Sequence, residues 1–353
     1  MSSKVGIVST CNLKYAPYIR LYTAVLDKAG IKYDLIIWDK YDLNEQAAYS
    51  YHGKKNDGDK IKSFFQYIGF GRFLDKILYE NRYERLIVCN PAPLLFVRKK
   101  TLDIYKERFI WDIRDDSPIR KYFYRKFKKI RSKAAMVVTS SRRYDQWIGE
   151  PTVLSHNAEK RMILNSLDYM PHRKNCGRVR IINAGKMIEE SENIEVLKRM
   201  GNDSRYEFIY YGREVPGKVK LMDFCRENNI ENVTFFGTYN KDEIIDIYRN
   251  QGDLINILRA NTAINRDALP NKLYEAVIAG VPLVVFEHNT VISDYAKKYY
   301  LGIVLRDESE LGSLVRMLDD FDFERYADGR KKFLEQIVND IDLFEERVKK
   351  FCM

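Results

Sequence analysis

Short apolar runs, rich in β-branched residues, recur along the chain and are separated by segments whose apolar residues have helical spacing. In the first half, the apolar runs predict strands at residues 5–9, 33–38, 85–90, 109–113 and 136–140. The segments between them predict helices near residues 18–29, 60–79, 94–106 and 120–133. Strands that alternate with helices are typical of a parallel sheet that is covered on both faces.

A second series of the same kind starts near residue 178 and predicts a second parallel sheet. Its strands are expected at residues 178–184, 208–211, 233–236, 254–258, 283–286 and 302–305. Residues 158–176 have no clean period and many charges, which indicates a hinge. The pattern predicts the α/β class with two Rossmann-like domains facing a cleft, residues 1–157 and 177–322, and a helical tail at 323–353. Ligands of such sheets bind beyond the carboxyl ends of the strands.

The composition fits two ordinary hydrophobic cores and gives no sign of a metal centre. Apolar residues make up 45% of the 353 positions. The five cysteines are scattered without a CxxC spacing and the four histidines are isolated, so we expect no metal site and a reducing compartment. No apolar run is long enough for a signal-peptide core or a membrane span. We therefore expect a cytoplasmic protein, soluble or peripheral on the inner face of the plasma membrane.

The net charge of +10 is unevenly distributed, because the segment that begins at Arg120 and ends at Lys133 has eight basic residues and no acidic one. Phe123, Phe127 and Ile130 have the spacing of one helical stripe in this segment. A basic helix with an aromatic face can lie on an anionic membrane surface, or it can meet nucleic-acid phosphates. The alternative is that the stripe faces the core and the basic side chains are solvated. We expect no nucleic-acid partner, and the core and membrane interpretations both remain open.

The segment that starts at Asp267 joins an acidic residue, a helix start with a lysine, a second acidic residue and a helix end. Asn271 is predicted to cap the helix and Gly280 to end it. A helix N-terminus carries free N–H groups and a positive dipole end, so it suits a phosphate, and Lys272 adds a full charge there. Asp267 and Glu275 can accept hydrogen bonds from sugar hydroxyls. This combination is the chemistry of a nucleotide-sugar site.

The same segment resembles the donor-binding segment of the retaining GT-B glycosyltransferases of family 4. In that family two glutamates lie eight positions apart; here the second is Glu275, and the first position is Asp267, one methylene shorter. The resemblance implies a GT-B fold whose tail crosses back to the first domain, a nucleotide-diphosphate sugar (a UDP-sugar) as donor, and no metal. It also implies that Glu275 holds the ribose and Asp267 the donor sugar, while Asn271, Lys272 and Leu273 hold the diphosphate. The alternative is a capped helix with exposed acids.

Turns after further predicted strands add weaker candidates. Gly185 and Lys186 resemble the family's Gly-Arg turn at the diphosphate, with a lysine in the arginine position. The lysine that the family has five residues later is replaced here by Ser191, inside an acidic run. By resemblance, Arg213 supplies a phosphate charge and Tyr239 borders the base. Plain turns between strands and helices are the alternative, since glycine after a strand is common.

The end of one predicted strand in the first half carries three carboxylates and one arginine: Asp112, Arg114, Asp115 and Asp116. A carboxylate at such a position can accept the proton of an acceptor hydroxyl. In the resembled family, a residue from this side often contacts the acceptor or the donor sugar. We choose Asp115 for this role, with Asp116 as the second choice. The equally weighted alternative is that Arg114 pairs with Asp112 and that Asp116 caps the next helix.

These patterns predict a glycosyltransferase that moves a sugar from a nucleotide-diphosphate sugar to a hydroxyl acceptor, with retention by resemblance. The basic segment suggests a lipid-linked glycan acceptor, as in bacterial capsular, exopolysaccharide or cell-surface glycan assembly. One alternative is a GT-B sugar-nucleotide epimerase, which needs no acceptor. Another is a non-catalytic basic scaffold that binds membranes or nucleic acid, and the departure at Ser191 keeps it open.

Overall fold

The computed structural model of the chain describes residues 5–53, 60–90, 92–115, 122–172, 177–185, 187 and 190–353. The chain divides into two compact units. The first unit comprises Met1–Asn157 together with Asp340–Met353, and the second comprises Ala158–Asn339. Each unit is built around its own parallel sheet.

The first unit contains a seven-stranded sheet in the order β3-β2-β1-β4-β5-β6-β7, with every neighbouring pair parallel. Its strands are β1 Val5–Ser9, β2 Tyr33–Asp39, β3 Tyr49–His52, β4 Arg85–Cys89, β5 Phe109–Ile113, β6 Met136–Thr139 and β7 Val153–Leu154. In register, Ile7 of β1 lies between Leu35 and Ile87. All residues of β1 are buried, as expected for a central strand covered on both faces.

Helices cover both faces of the first sheet. They are α1 Ile19–Lys28, α2 Lys60–Asn81, α3 Lys99–Ile104, α4 Tyr124–Arg131 and α5 Asp145–Ile148, with 3-10 turns at Leu13–Tyr15, Pro93–Phe96 and Arg142–Tyr144. One hydrophobic cluster includes Trp38 and Trp111. The cluster with Tyr22 also contains Phe344 and Val348, so the C-terminal residues form part of the core of the first unit.

The second unit contains a six-stranded sheet in the order β10-β9-β8-β11-β12-β13, again parallel throughout. Its strands are β8 Val179–Ala184, β9 Tyr206–Tyr211, β10 Val233–Phe236, β11 Leu254–Asn256, β12 Leu283–Phe286 and β13 Gly302–Leu305. Phe208, Leu254 and Val284 are fully buried in the core of this unit. Their strands are nearly continuous apolar runs because a parallel sheet is buried on both sides.

The helices of the second unit include α11, which carries the residues that the sequence singled out. They are α6 Lys160–Leu164, α7 Glu190–Met200, α8 Pro216–Glu227, α9 Ile244–Gln251, α10 Ala263–Asp267, α11 Asn271–Ala279, α12 Thr290–Tyr299 and α13 Leu314–Asp319, with 3-10 turns at Lys241–Glu243 and Glu308–Ser313. The long helix α14, Phe323–Cys352, ends the chain. Its residues from Asp340 onward belong to the first unit.

The predicted α/β class with two Rossmann-like units and a long C-terminal helix is confirmed. Every predicted strand is present, with ends that differ by at most two residues. The predictions missed β3 and β7, because β3 is a half-exposed edge strand and β7 has only two residues. The single helix predicted at 94–106 is wrong, since Pro93–Phe96 forms a 3-10 turn and α3 begins only at Lys99. Among the described helices, none has the length and apolar character needed to cross a membrane.

The aromatic stripe of the basic segment faces the core of the first unit. Phe127 and Ile130 on α4 are each 2% exposed, and the partly buried Phe123 packs against the same cluster. The interpretation in which this stripe lies on a membrane is therefore wrong, because burial in the core removes more apolar area from water than surface contact would. The basic residues of α4 remain on the outside of the unit.

Candidate functional site

Helix α11 begins directly after Pro270, whose extended backbone takes the capping position. The predicted capping role of Asn271 is wrong, because Asn271 is already the first helical residue and no side chain caps this end. The first backbone N–H groups of a helix have no intrahelical partner, so this end can receive an anion. Leu273 is fully buried, and its backbone N–H already donates to the carbonyl oxygen of Pro270 at 3.1 Å. Gly280 ends the helix in the left-handed conformation (φ 72°), as predicted.

The far end of α11 is held by two arginines from other helices. The Arg330 guanidinium on α14 is 1% exposed, and its Nε donates to the carbonyl oxygen of Val277 at 2.6 Å. Arg249 on α9 donates from Nε to the carbonyl oxygen of Ala279 at 3.3 Å. Cations at a helix C-terminus satisfy its free carbonyls and complement its dipole. These contacts fix the position of the helix from its end, and thereby the position of its start.

The side chain of Lys272 reaches the carboxyl end of β8. Its Nζ donates a hydrogen bond to Oδ1 of Asn183, the second-last residue of that strand. A Cβ atom placed on Gly185 would lie 3.9 Å from Cε of Lys272, so the lysine stem runs beside the glycine turn. Gly185 has a φ of 121°, which favours glycine. The structure thus brings together two candidates that are 87 positions apart in the sequence.

Three buried asparagines support this lysine. Asn183 and Asn256, at the ends of neighbouring strands β8 and β11, both donate from Nδ2 to Oδ1 of Asn193 on α7, at 3.2 and 3.1 Å. Oδ1 of Asn256 accepts a hydrogen bond from the backbone N–H of Leu258 at 2.9 Å. All three asparagines are at most 7% exposed. Because a buried amide without partners costs free energy, this network holds the Asn183 oxygen in place under the Lys272 ammonium.

The turns that follow β8, β9 and β10 lie against one another. The N–H of Gly185 donates to the carbonyl oxygen of Tyr211 at 2.9 Å, and the N–H of Gly212 donates to that of Gly237 at 3.0 Å. Gly212 has a φ of 151°, and a Cβ placed there would lie 2.2 Å from the carbonyl oxygen of Gly185. These two backbones therefore approach so closely that only glycine fits.

Glu275 lies one turn into α11 and is half-buried. Burial raises the pKa of its carboxyl group above the ordinary value, and the nearby charges of Lys241 and Lys272 and the Tyr248 hydroxyl oppose that rise. The Tyr248 side chain is fully buried, and its hydroxyl has no hydrogen bond of ordinary geometry within the described part of the chain. The carboxylate of Glu275 thus stands among two lysines and a phenol, in an environment that a hydrogen-bonding ligand would complete.

Aromatic side chains border Glu275 on the side of β9 and β10. Burial and the Glu275 charge raise the pKa of Tyr239 to about 12, so the phenol stays protonated and can donate. The Tyr239 ring packs edge-on against Tyr211 at 6.0 Å between centroids, and Tyr211 stacks on Phe236 at 4.5 Å. Arg213 is exposed in the turn after β9. Planar rings next to glycine turns provide stacking surfaces that are suited to a base.

Lys218 on α8 fastens two of these turns together. Its Nζ donates to the carbonyl oxygens of Gly212 at 2.9 Å and Phe236 at 2.6 Å, and the residue is 5% exposed. A buried ammonium needs several acceptors to offset its lost hydration. Lys218 therefore stabilises the turns from inside the unit. Because it is buried, it does not replace the lysine that the resembled family has at the position of Ser191.

Asp267 is the last residue of α10 and is half-buried, four residues before α11 begins. Only three residues separate Asp267 from the start of α11 in the sequence. Ser191 is exposed in the first turn of α7, where its hydroxyl donates to Oε2 of Glu192 at 2.8 Å. Lys186 and Asp116 lie outside the described residues.

In the first unit, Arg114 pairs with Asp112, as one of the two interpretations of that loop stated. Oδ2 of Asp112 accepts bonds from Nη2 of Arg114 at 2.6 Å and from the hydroxyl of Tyr22 at 2.7 Å. Arg114 also donates to the carbonyl oxygen of Ser155 at 3.2 Å. Both charged residues are buried, so they act as a structural pair, while Asp115 is exposed directly after them. The proton-acceptor role of Asp115 stays a prediction.

The described residues contain no group of three or more His, Cys, Asp and Glu side chains arranged to hold a metal ion. Several residues that build the site were missed by sequence reasoning: Asn193, Lys218, Lys241, Tyr248 and Asn256. One signal was available, since Asn183 and Asn256 are polar residues at the ends of apolar runs that predict buried strands. A polar side chain at that place points to the ligand edge of a parallel sheet.

No protein-family model matches the chain, and no curated protein matches it. Among solved structures, the sucrose-phosphate synthase of Thermosynechococcus elongatus superposes with a TM-score of 0.67 at 12% identity, over 98% of both chains. The Anabaena protein HepE in complex with UDP has a TM-score of 0.64 at 10% identity, over 98% of this chain and 100% of that one. The UDP-GlcNAc 2-epimerase of Neisseria meningitidis, bound to UDP-GlcNAc, has a TM-score of 0.57 at 12% identity, over 97% and 98%. These likenesses show the GT-B fold.

Proposed function

We propose that this chain is a glycosyltransferase that binds a nucleotide-diphosphate sugar on its second unit and moves the sugar to a hydroxyl group. The observation that carries the proposal is the start of α11, where Lys272 lies beside the Gly185 turn and Glu275 follows one turn later. A cation, free helix N–H groups and a half-buried carboxylate at one strand edge match a diphosphate joined to a ribose. Proteins of the same fold bind UDP and UDP-GlcNAc, which favours a UDP-sugar as the donor.

In this proposal, positively charged groups bind the diphosphate of the donor and a carboxylate binds its ribose. The ammonium of Lys272 and the backbone N–H groups of Asn271 and Lys272 hold the diphosphate, because all of them favour negative charge. The N–H of Leu273 points to the same end of the helix but is shared with the carbonyl oxygen of Pro270. Lys186 and the exposed Arg213 add positive charge at the diphosphate. We assign the next part of the donor to Glu275, whose carboxylate accepts hydrogen bonds from the ribose hydroxyls.

The two ends of the donor have different partners. Tyr239 borders the base through its ring and its protonated hydroxyl, next to the stacked pair Tyr211 and Phe236. Asp267 accepts hydrogen bonds from the donor sugar. Because Asp267 is one methylene shorter than a glutamate, we expect its contact to be longer or to pass through a water molecule.

Sugar transfer needs no protein nucleophile in this proposal. The bond between C1 of the sugar and the diphosphate oxygen breaks, and its electron pair stays on the diphosphate. The acceptor oxygen forms a bond to C1 on the same face, and its proton passes to the departing diphosphate oxygen, so the configuration at C1 is retained. Negative charge grows on the diphosphate, where Lys272 and the helix N–H groups stabilise it.

The acceptor is bound by the first unit in this proposal. The exposed Asp115, with Asp116 as the alternative, orients the acceptor hydroxyl, since a carboxylate accepts its hydrogen bond. A lipid-linked glycan fits the basic surface of α4, which suits an acceptor with an anionic phosphate linkage. Such an acceptor would place the enzyme in the assembly of capsular or other cell-surface glycans.

A sugar-nucleotide epimerase is the second candidate, because one of the structures with the same fold is a UDP-GlcNAc 2-epimerase. An epimerase converts the nucleotide sugar without an acceptor. The chain would then need acid and base groups at the sugar, and Asp267 is the nearest candidate on the second unit.

Product analysis separates the two. The protein is incubated with UDP-, GDP- and ADP-linked sugars, each with and without glycan acceptors, and products are identified by mass spectrometry and by the anomeric proton in NMR spectra. We expect an acceptor-dependent product with the donor's configuration, lost in Glu275→Ala and lowered in Asp115→Asn. Epimer formation without acceptor would replace the proposal with the epimerase, and donor binding without any product would leave only a nucleotide-sugar binding protein.

A further inference from the structure

Three aromatic side chains of the first unit stand in solvent near one end of α4. Phe65 on α2 is 64% exposed, Tyr122 is 84% exposed and Tyr124 is 45% exposed. Exposed aromatic rings of this size are costly in water when they have no partner. Exposed apolar side chains that lie close together can mark an interaction surface.

A ring contact connects Phe65 to a group of partly buried phenylalanines beneath it. The Phe64 ring lies 6.1 Å from Phe65 and stacks on Phe123 at 6.2 Å, and both Phe64 and Phe123 lie within 6 Å of Phe96. Phe123 directly joins Tyr122 to Tyr124 in the chain. Phe65 therefore lies on the same part of the first unit as the start of α4.

The outward face of α4 carries only basic charge. Arg125, Lys128 and Lys129 are exposed and lie opposite the buried stripe, since successive residues turn by about 100° around a helix. Lys128 places its Nζ 4.6 Å from the centroid of the Tyr124 ring. None of the three has an ion pair with a described carboxylate.

The basic residues that follow on the same segment, unlike those on the outward face, form ion pairs. Arg131 pairs with Glu150 at 2.5 Å, and Lys133 pairs with Asp103 at 2.5 Å. The sequence from residue 122 to residue 144 contains no acidic residue, and neither does the stretch from 60 to 74. Among the described residues, the positive charge of α4 is thus paired near its C-terminal end, and the three basic residues on its outward face have no carboxylate partner.

We propose that Phe65, Tyr122, Tyr124, Arg125, Lys128 and Lys129 form a docking surface for a lipid bilayer with anionic headgroups. Charge complementarity supports this occupant, since each exposed basic residue gains from the negative surface of such a bilayer. The aromatic rings support it further, because aromatic side chains favour the zone between headgroups and hydrocarbon. A nucleic acid would use the same charges but would gain little from Phe65, which lies on a helix surface and forms no groove on its own.

The bilayer meets the outward face of α4 and not the aromatic stripe on its inner face. The stripe of Phe123, Phe127 and Ile130 supports the surface from inside the unit and does not contact lipid. Bilayer binding can be tested separately from the proposed sugar transfer, because it is measured without donor or acceptor.

The test is flotation of the full chain with vesicles of phosphatidylcholine alone and of phosphatidylcholine with about one-third phosphatidylglycerol, at about 0.05 and 0.5 M salt. One variant combines Arg125→Gln, Lys128→Gln and Lys129→Gln, and a second is Phe65→Ser. The matched control combines Lys349→Gln and Lys350→Gln, two exposed lysines near the end of α14.

We expect wild type and control to bind the anionic vesicles at low salt and not the neutral ones. The triple variant should bind about 100-fold more weakly, since each basic residue contributes about tenfold or somewhat less. Phe65→Ser should bind about tenfold more weakly and lose the part of the binding that survives high salt. Unchanged melting temperatures would show that the variants are folded.

Three results would overturn the inference. Wild type could fail to bind anionic vesicles at low salt, or the triple variant could bind as well as the control. A short DNA duplex could bind more tightly than the vesicles without dependence on Phe65, which would assign the surface to nucleic acid. A concentration-dependent dimer that Phe65→Ser dissociates, with no vesicle binding, would assign it to a second copy of the chain.

Discussion

The ammonium group of Lys272 donates a hydrogen bond to the side-chain oxygen of Asn183, 89 positions earlier in the chain. This bond joins the start of α11 to the carboxyl end of β8. A helix start alone binds anions weakly, and a lysine alone is mobile in solvent. Together, and with the Gly185 turn beside them, they form a positively charged site at the carboxyl ends of the strands, with the lysine held in one position.

Lys272→Met should lower donor-dependent turnover. Removing a charge that stabilises the leaving diphosphate should reduce kcat/KM by about 100- to 1,000-fold. Steady-state kinetics with the donor found by product analysis would measure this. Lys198→Met is the matched control, because Lys198 is an exposed lysine on α7 whose nearest carboxylate, Glu195, lies 3.8 Å away. Equal losses in both variants would contradict the assignment of Lys272.

Asn193→Leu should destabilise the second unit while leaving its surface unchanged. The substitution leaves the Nδ2 groups of Asn183 and Asn256 without their shared acceptor inside the protein. We expect a loss of about 1–3 kcal/mol in the free energy of unfolding, measured by urea denaturation. Asn202→Leu, on an exposed turn, should stay within about 0.5 kcal/mol of wild type. A neutral Asn193→Leu would mean that the asparagine network does not hold the site.

Gly212→Ala should be more damaging than Gly237→Ala, although both glycines follow neighbouring strands. At Gly212 the new Cβ would meet the Gly185 carbonyl oxygen at 2.2 Å, whereas at Gly237 nothing lies within 4 Å. We expect Gly212→Ala to lose at least about 2 kcal/mol in the free energy of unfolding, because backbone must move. Thermal and urea unfolding of the two variants side by side would decide whether the turns approach as closely as described.

Glu275→Gln should stabilise the ligand-free protein at neutral pH. The folded state raises the pKa of Glu275 above its ordinary value of 4.5, so ionisation of this carboxyl group destabilises the folded chain. That cost appears as the pH rises above about 4.5 and is complete once the pH exceeds the folded-state pKa. The variant, which cannot ionise, should melt above wild type at about pH 8, and the difference should shrink toward about pH 4.

Melting curves of both proteins across this pH range provide the measurement. A variant that is less stable than wild type at every pH would show that Glu275 is a structural residue held by its neighbours. A variant that is more stable but has lost donor binding would show that the Glu275 carboxylate lowers the stability of the folded chain and serves to bind the donor.

The fold was readable from sequence because parallel strands buried on both faces are nearly continuous apolar runs, as in Leu283–Phe286. The end of α11 at Gly280 was also readable from local signals, whereas its start was predicted one residue late, because Pro270 and not Asn271 takes the capping position. The contact between Lys272 and Asn183 was not readable, since it depends on which strand the helix returns to. The exposed Phe65 and the buried Phe127 show the same limit, because helical spacing identifies a stripe but not the side on which the sheet lies.

The central claim is that the start of α11 binds a nucleotide sugar, and a thermal-shift screen tests it most directly. Wild type, Lys272→Met and Glu275→Ala are melted with UDP-, GDP- and ADP-linked sugars at equal concentrations. Binding to the folded state raises its stability, so one nucleotide class should raise the wild-type melting temperature by about 5 °C and have little effect on either variant. No shift for wild type with any nucleotide sugar, or an equal shift in Glu275→Ala, would contradict the account.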